Sequence, residues 1–135
     1  MVKLWQIPSG AVVACEIYEL FEHSGICIGE QQLVELHGSG LVRVVSETRF
    51  LAQRSGEVIQ VFVNSQGDIL HHPHCGERAA AMVYQSIPYD VIAHNCHRFT
   101  FYCGSGLWLP ITSFYDLKVA MADYFSCRVA LRPVR

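Results

Sequence analysis

The chain has 135 residues, which is enough for one domain with a hydrophobic core and too few for two. Hydrophobic residues make up 51% of it and charged residues only 16%. We therefore expect some apolar surface to stay exposed as a substrate groove or a partner patch. The net charge is −2 at pH 7 and the basic residues are scattered, so no nucleic-acid partner is predicted.

The sequence also bears on the compartment of the protein. No apolar run approaches the roughly eighteen residues of a membrane span, and residues 1–10 lack the apolar core of a signal peptide. We therefore predict no integral membrane segment, although peripheral contact with a membrane is compatible with the composition. No pair of cysteines forms a Cys-x-x-Cys motif, so free thiols in a reducing cytoplasm are expected. The six cysteines are Cys15, Cys27, Cys75, Cys96, Cys103 and Cys127.

The predicted elements divide the chain into two parts. Runs of β-branched and apolar residues predict strands in the first part, with a turn at residues 29–32 and an irregular stretch at 69–75. Helix-forming and capping residues predict three helices in the second part, followed by a closing strand. The predicted strands are 10–19, 23–28, 33–37, 41–46, 57–64 and 127–131, and the predicted helices are 77–86, 95–104 and about 113–126. This order predicts an α+β fold, with an antiparallel sheet packed against helices in a single domain over residues 1–135.

The hairpin at residues 23–37 carries an imidazole and a carboxylate on one face. Alternation places His23 and Glu35 on the face opposite to Ile26 and Val34. A three-residue connection would set His23 directly opposite Glu35, with Cβ atoms about 5 Å apart. A carboxylate in that position fixes the tautomer of a histidine ring and stabilises its protonated form.

Cys96 falls in the first turn of the helix that Asn95 is predicted to cap. Unpaired N–H groups and the positive end of the helix dipole favour a thiolate there, and the same N–H groups can bind an oxyanion. The sequence thus predicts Cys96 as a nucleophile, His23 as its base and Glu35 as the residue that orients the base.

Four further residues are expected to contact the substrate or to surround the site: His37, Asn95, His97 and Trp108. Of these, Asn95 also serves as the helix cap, and Trp108 would line an apolar groove, although a place in the core is favoured. His37 is expected in a loop, and His97 is expected to point away from the thiol as a solvated residue. His94 is the second histidine that flanks Cys96 in the sequence, and either of the two would add positive potential at the thiol.

Two motifs resemble those of the lecithin retinol acyltransferase-like family, which belongs to the permuted branch of the NlpC-type papain-like superfamily. The first is an H-x-x-I-x-x-G pattern with a polar residue twelve positions after the histidine. The second is an N-C-x-x-F-x-x-x-C-x-x-G block. The matching residues here are His23, Ile26, Gly29 and Glu35 for the first, and Asn95, Cys96, Phe99, Cys103 and Gly106 for the second.

The resemblance covers roughly residues 10–106 and implies a circularly permuted papain-like fold with Cys96, His23 and Glu35 as catalytic residues. The implied activity is that of a thiol-dependent acyl hydrolase or acyltransferase without a cofactor, acting on a small-molecule or lipid acyl substrate. Two departures stand out. Glu35 occupies a position that is often histidine in animal members, and His97-Arg98 replaces a Glu-His pair. The C-terminal membrane anchor of many animal members is not implied here.

Several alternatives stay open. The permuted PPPDE peptidases, which act on ubiquitin-like modifiers, also place a histidine before an Asn-Cys pair, so a cysteine peptidase, isopeptidase or amidase is the nearest competitor. A non-catalytic binding module with a structural Cys96 is another. The stretch His71-His72-Pro73-His74-Cys75 contains zinc-type ligands, but they are crowded around a proline, so a polar loop is favoured and no metal site is predicted.

Overall fold

The computed structural model describes residues 3–17, 21–52, 58–90 and 95–134. Within these ranges the protein is a mixed α+β structure, with one six-stranded antiparallel sheet and four α-helices. This confirms the predicted fold class, although the sheet and helices are not cleanly separated along the chain. The strands are β1 (Val12–Ile17), β2 (Phe21–Gly29), β3 (Gln32–Leu36), β4 (Val42–Val45), β5 (Ile59–Val63) and β6 (Ala130–Val134). The helices are α1 (Glu47–Leu51), α2 (Pro73–Met82), α3 (Cys96–Ser105) and α4 (Phe114–Phe125).

The strand order is β4-β3-β2-β1-β5-β6, so β2 lies near the middle of the sheet. The first four strands form a meander, and β5 joins on the other side of β1. At one edge, Val42 of β4 exchanges backbone hydrogen bonds with Tyr84 and Gln85. At the other edge, β6 contains Pro133, which has no N–H group to donate.

Both faces of the sheet are buried. On one face, Ile26 and Val34 pack with Phe99 of α3 and Leu117 of α4. On the other face, α1 and a short 3-10 turn at Leu4–Gln6 cover the sheet, and Phe50 is fully buried there. The double coverage accounts for the high apolar fraction of the chain, since strands buried on both faces need apolar residues at successive positions.

The turn between β2 and β3 differs from the predicted one. Glu30 and Gln31 both have positive φ, 53° and 63°, and Gly29 pairs with Gln32, as in a two-residue type I′ hairpin turn. The predicted three-residue connection is therefore wrong. A register irregularity between Cys27 and Gly29 then sets the strands so that Ile26 pairs with Val34. Continuing that register places Glu35 beside Gly25, and diagonal to His23 rather than directly opposite it.

Gly25 lies in close contact with Val34 of β3 and with Phe50 of α1. A Cβ atom at this position would lie 2.7 Å from the carbonyl oxygen of Val34 and 3.0 Å from a ring carbon of Phe50. We expect Gly25→Ala to lower the free energy of unfolding by about 1–3 kcal/mol through overpacking. The matched control is Gly38→Ala, because a Cβ there meets no atom within 4 Å. Urea unfolding of both variants measures the difference, and equal stabilities would contradict the tight approach.

Other boundaries shift for local reasons. α2 begins at Pro73, inside the stretch predicted to be irregular, because His72 caps the helix and proline fits its first turn. It ends at Met82, four residues before the predicted end. α1 was not predicted; Ser46 caps this short helix. β6 begins three residues after the predicted strand does. Residues 18–19 and 57, at the ends of two predicted strands, lie outside the described residues.

Across the described ranges, none of the helices combines the length and the apolar character needed to cross a membrane.

Candidate active site

Cys96 is the first residue of α3, and Asn95 caps that helix. The side-chain oxygen of Asn95 accepts a hydrogen bond from the Arg98 N–H at 2.9 Å, and its amide nitrogen donates to the Ile111 carbonyl at 2.7 Å. The helix packs against the buried sheet through Phe99. The sequence therefore fixes the thiol at a helix N-terminus, where the helix dipole favours negative charge.

His23 of β2 and Glu35 of β3 form a buried pair. The Nε2 atom of His23 lies 2.8 Å from Oε1 of Glu35, and both side chains are nearly inaccessible to solvent. The Phe50 ring packs against the His23 ring at a centroid distance of 4.9 Å. The predicted contact is present, although the register makes it diagonal. Long side chains span such a diagonal easily.

Arg43 is the second ion-pair partner of the Glu35 carboxylate. It pairs with Glu35 across β3 and β4, and its Nε donates to Oε2 at 2.6 Å. Burial alone would raise the pKa of the Glu35 carboxyl, but hydrogen bonds and charges from His23 and Arg43 lower it from 4.5 to about 2. Glu35 is therefore an ionised carboxylate with both oxygens engaged, which leaves it able to orient a ring and to stabilise an imidazolium.

The thiol of Cys96 meets two imidazoles. Burial alone would raise its pKa, but hydrogen bonds from His23 and His97, and the charges of both rings, hold the pKa well below the ordinary value. His23, one of these two rings, is itself bonded to Glu35 through Nε2. Cys96, His23 and Glu35 are therefore candidate partners in one thiol site.

Other buried cysteines contrast with Cys96. Burial raises the pKa of Cys75 to about 12. Burial, helped by the neighbouring Cys75, also raises the pKa of Cys103, and burial raises that of Cys27. These thiols are small core residues with little thiolate character. Of these four thiols, only Cys96 has contacts whose effect on the pKa exceeds that of burial.

Access to the sulfur is narrow, because only 4% of Cys96 is exposed. An apolar groove of about 620 Å³ lies between the end of α3 and α4. One of its walls is Ile111, whose carbonyl is bonded to Asn95, the residue before Cys96. Its apolar lining includes Leu107, Leu109, Ile111, Tyr115, Val119 and Tyr124. The groove agrees with the expectation that some apolar surface stays exposed.

The four residues predicted to contact a substrate fall in different places. Asn95 uses both ends of its amide within the protein, as described above, so its observed role is structural. Nδ1 of His37 contacts the hydroxyl and the N–H of Ser39, in the turn between β3 and β4. Trp108 stacks on Tyr102 at a centroid distance of 4.3 Å. It is partly exposed, and its neighbours in sequence line the groove. Substrate contact by His37 and Trp108 stays a prediction.

His97 was expected to be solvated and to point away, and that expectation is wrong. The residue is 7% exposed, and its Nδ1 atom lies 2.8 Å from the hydroxyl oxygen of Ser24. The physical reason is that α3 packs with this side against β2, so the helix turn after Cys96 faces the sheet. His94 lies outside the described residues.

The histidine-rich stretch forms the start of α2 rather than a loop. His72 accepts a hydrogen bond from the His74 N–H, His74 pairs with Glu77, and Cys75 points into the core. Over the ranges that the structure describes, no three side chains from histidine, cysteine, aspartate or glutamate gather into a group that could hold a metal ion.

Sequence reasoning missed three residues that shape the site: Ser24, Arg43 and Phe50. Arg43 carried a usable signal, because a buried carboxylate needs a cationic partner and Arg43 follows Glu35 across a short glycine-containing turn. Ser24 and Phe50 carried none, since their contacts depend on the packing of distant segments.

No protein-family model matches the chain, and no curated protein sequence matches it. The structure defines an α+β protein in which His23 and Glu35 form a buried pair and Cys96 is the first residue of α3. The resemblance to the lecithin retinol acyltransferase-like family and the permuted papain-like architecture stay predictions.

Proposed function

We propose that the protein is a cysteine-dependent acyl hydrolase or acyltransferase with a circularly permuted papain-like fold, working in the cytoplasm. The observation that carries the proposal is the contact of the Cys96 thiol with His23, which is itself held by the ionised Glu35 at 2.8 Å. A nucleophile, a base and an orienting carboxylate in that order are the components of thiol acyl transfer.

In the proposed reaction, the Cys96 sulfur attacks the carbonyl carbon of an ester or amide. His23 holds the thiol proton and delivers it to the departing alcohol or amine as the C–O or C–N bond breaks, which leaves a thioester on Cys96. Water, an alcohol or an amine then attacks the thioester and gives its proton to His23, and the C–S bond breaks. The N–H groups of the first turn of α3 that Asn95 does not cap are suited to bind the oxyanion.

Two features bear on the substrate. The groove between the end of α3 and α4 is mostly apolar, and one residue of its lining, Ile111, is bonded to Asn95, which favours an acyl group with a hydrocarbon portion. Cys96 is only 4% exposed, which favours a slender ester or amide over a folded protein substrate. An acyl hydrolase or acyltransferase is therefore preferred to an isopeptidase that acts on a ubiquitin-like modifier.

The test is intact mass spectrometry after incubation with p-nitrophenyl esters and anilides of short and long acyl chains. We expect one acyl adduct per chain, absent in Cys96→Ala and present in Cys127→Ala, which removes another partly accessible thiol. Adducts that persist in Cys96→Ala, or no adduct with any of these compounds, would favour the non-catalytic binding module instead.

A further inference from the structure

The α4 wall of the apolar groove is acidic near both of its ends. Two adjacent residues from each of three successive turns of the helix line the groove, so these side chains form one stripe along α4. The stripe consists of Tyr115, Asp116, Val119, Ala120, Asp123 and Tyr124. Its apolar part is open to solvent, since 69% of Tyr115 and 45% of Val119 are exposed. The outer face of α4 therefore presents an apolar surface with a carboxylate near each end.

Each end of this stripe combines an aromatic ring with a carboxylate. Tyr115 and Asp116 are neighbours in the first turn of α4, and Asp123 and Tyr124 are neighbours in the last. The two carboxylates are seven positions apart, which corresponds to about 10 Å along the helix axis. The ring of Tyr124 makes an edge-on contact with the ring of Phe101. Carboxylates and aromatic faces are the groups that attract an organic cation such as an ammonium.

The negative charge of the groove is not compensated by the protein. Thr112 donates to Oδ2 of Asp116 from its hydroxyl and its N–H, and these hydrogen bonds hold the pKa of Asp116 below its ordinary value. Within the described ranges, neither Asp116 nor Asp123 forms an ion pair. The residues that line the groove include no lysine, arginine or histidine. Lys118 of α4 lies instead over the ring of Phe114, at 5.5 Å from its centroid.

The charge pattern decides between the ligands that an apolar groove can take. Its volume of about 620 Å³ is that of a small-molecule site. A fatty acid anion or an anionic lipid surface would be repelled by the two carboxylates. A neutral hydrocarbon chain would use the apolar middle of the groove and neither of its acidic ends. A chain that carries an ammonium group matches both the apolar part and the charge.

We propose that the groove binds an aliphatic chain with a positively charged ammonium group, the chain lying against Val119 and the ammonium at one of the two acidic ends. This inference deepens the proposed function and rests on it, because it makes the substrate an ester or amide of a cationic amphiphile. The groove is connected to the thiol site through Ile111, whose carbonyl is bonded to Asn95. The ammonium group serves binding alone and takes no part in the transfer of the acyl group.

The experiment is isothermal titration calorimetry at low ionic strength with decyltrimethylammonium and decyl sulfate, each below its micelle concentration. The two compounds share a chain and have head groups of opposite charge. We expect the wild type to bind the ammonium compound about tenfold more tightly than the sulfate. Asp123→Lys should reverse this preference, and lysine is well tolerated near the end of a helix. The matched control is Glu30→Lys, which makes the same change of charge at an exposed position in the β2–β3 turn and should keep the preference.

Val119→Gln tests the apolar part of the groove and should weaken the binding of both compounds about fivefold. Equal affinities for the two compounds in the wild type would overturn the proposal, as would tighter binding of the sulfate. An unchanged preference in Asp123→Lys would overturn it as well, because the cation would then bind elsewhere.

Binding needs no nucleophile, so this outcome is separate from that of the acyl-adduct test. The expected preference without any acyl adduct would sustain the ligand class of the groove and reject the proposed function. An adduct without any preference between the head groups would do the reverse.

Discussion

At pH 6, Cys96 should be the first thiol of the protein to be alkylated, faster than an ordinary cysteine by a factor of about 100. An ordinary thiol of pKa ~8.5 is only roughly 0.3% thiolate at this pH, and the thiolate is the reactive form. The hydrogen bonds and charges of His23 and His97 hold the pKa of Cys96 well below its ordinary value, against the effect of burial. Peptide mapping after a brief exposure to iodoacetamide identifies the labelled residue.

His23→Ala should remove most of this reactivity at pH 6 and restore it as the pH rises above 8. The variant loses a hydrogen-bond donor and a positive charge beside the thiol. The pKa of the Cys96 thiol should therefore rise towards its ordinary range. Cys75 serves as an internal comparison, since burial raises its pKa to about 12. If Cys96 stayed unlabelled while Cys127 reacted, the narrow opening would exclude even a small reagent, and the nucleophile assignment would fail.

Acid should destabilise the protein through Glu35. Burial would raise the pKa of this carboxyl, but His23 and Arg43 lower it from 4.5 to about 2. A carboxyl with a lowered pKa stabilises the fold at pH values above its unfolded pKa, and the contribution disappears as pH falls from about 4.5 to about 2. A difference of 2.5 pKa units corresponds to about 3 kcal/mol of the free energy of unfolding.

Glu35→Gln should therefore lower the free energy of unfolding by about 3 kcal/mol at pH 7, because it leaves His23 and Arg43 without their buried charge partner. Between pH 5 and pH 2 its stability should fall much less than that of the wild type. Urea denaturation at several pH values provides both curves. Glu30→Gln, at an exposed position in the β2–β3 turn, is the control and should stay within about 0.5 kcal/mol of wild type. Parallel acid curves for wild type and Glu35→Gln would contradict the assignment.

The sequence allowed much of the sheet to be predicted because period-two alternation and turn residues are local signals. The pairing of His23 with Glu35 was predicted for the same reason, since both belong to one hairpin. The exact register was not predictable, because Glu30 and Gln31 are unusual residues for a turn with two positive φ angles. The prediction that His23 and Glu35 share a face of the sheet is unaffected by the error in register, because diagonal neighbours lie on the same face.

The environment of His97 could not be predicted from its own surroundings in the sequence. A polar residue in the first turn of a helix is usually solvated, and only the docking of α3 on β2 turns it inwards. Its partner Ser24 is 73 positions away, and a serine in an apolar strand carries no sign that it will meet a histidine. In the same way, α2 starts earlier than expected because a histidine rather than a common capping residue closes its first turn.

The two borders of the sheet have a consequence for association between molecules. The exposed side of an outer strand is normally a template on which another chain can extend the sheet. Here the backbone of residues 84–85 already occupies that side of β4, and Pro133 interrupts the donor pattern of β6. We therefore expect this largely apolar chain to resist the fibril-like association in which the edge strand of one molecule pairs with that of another.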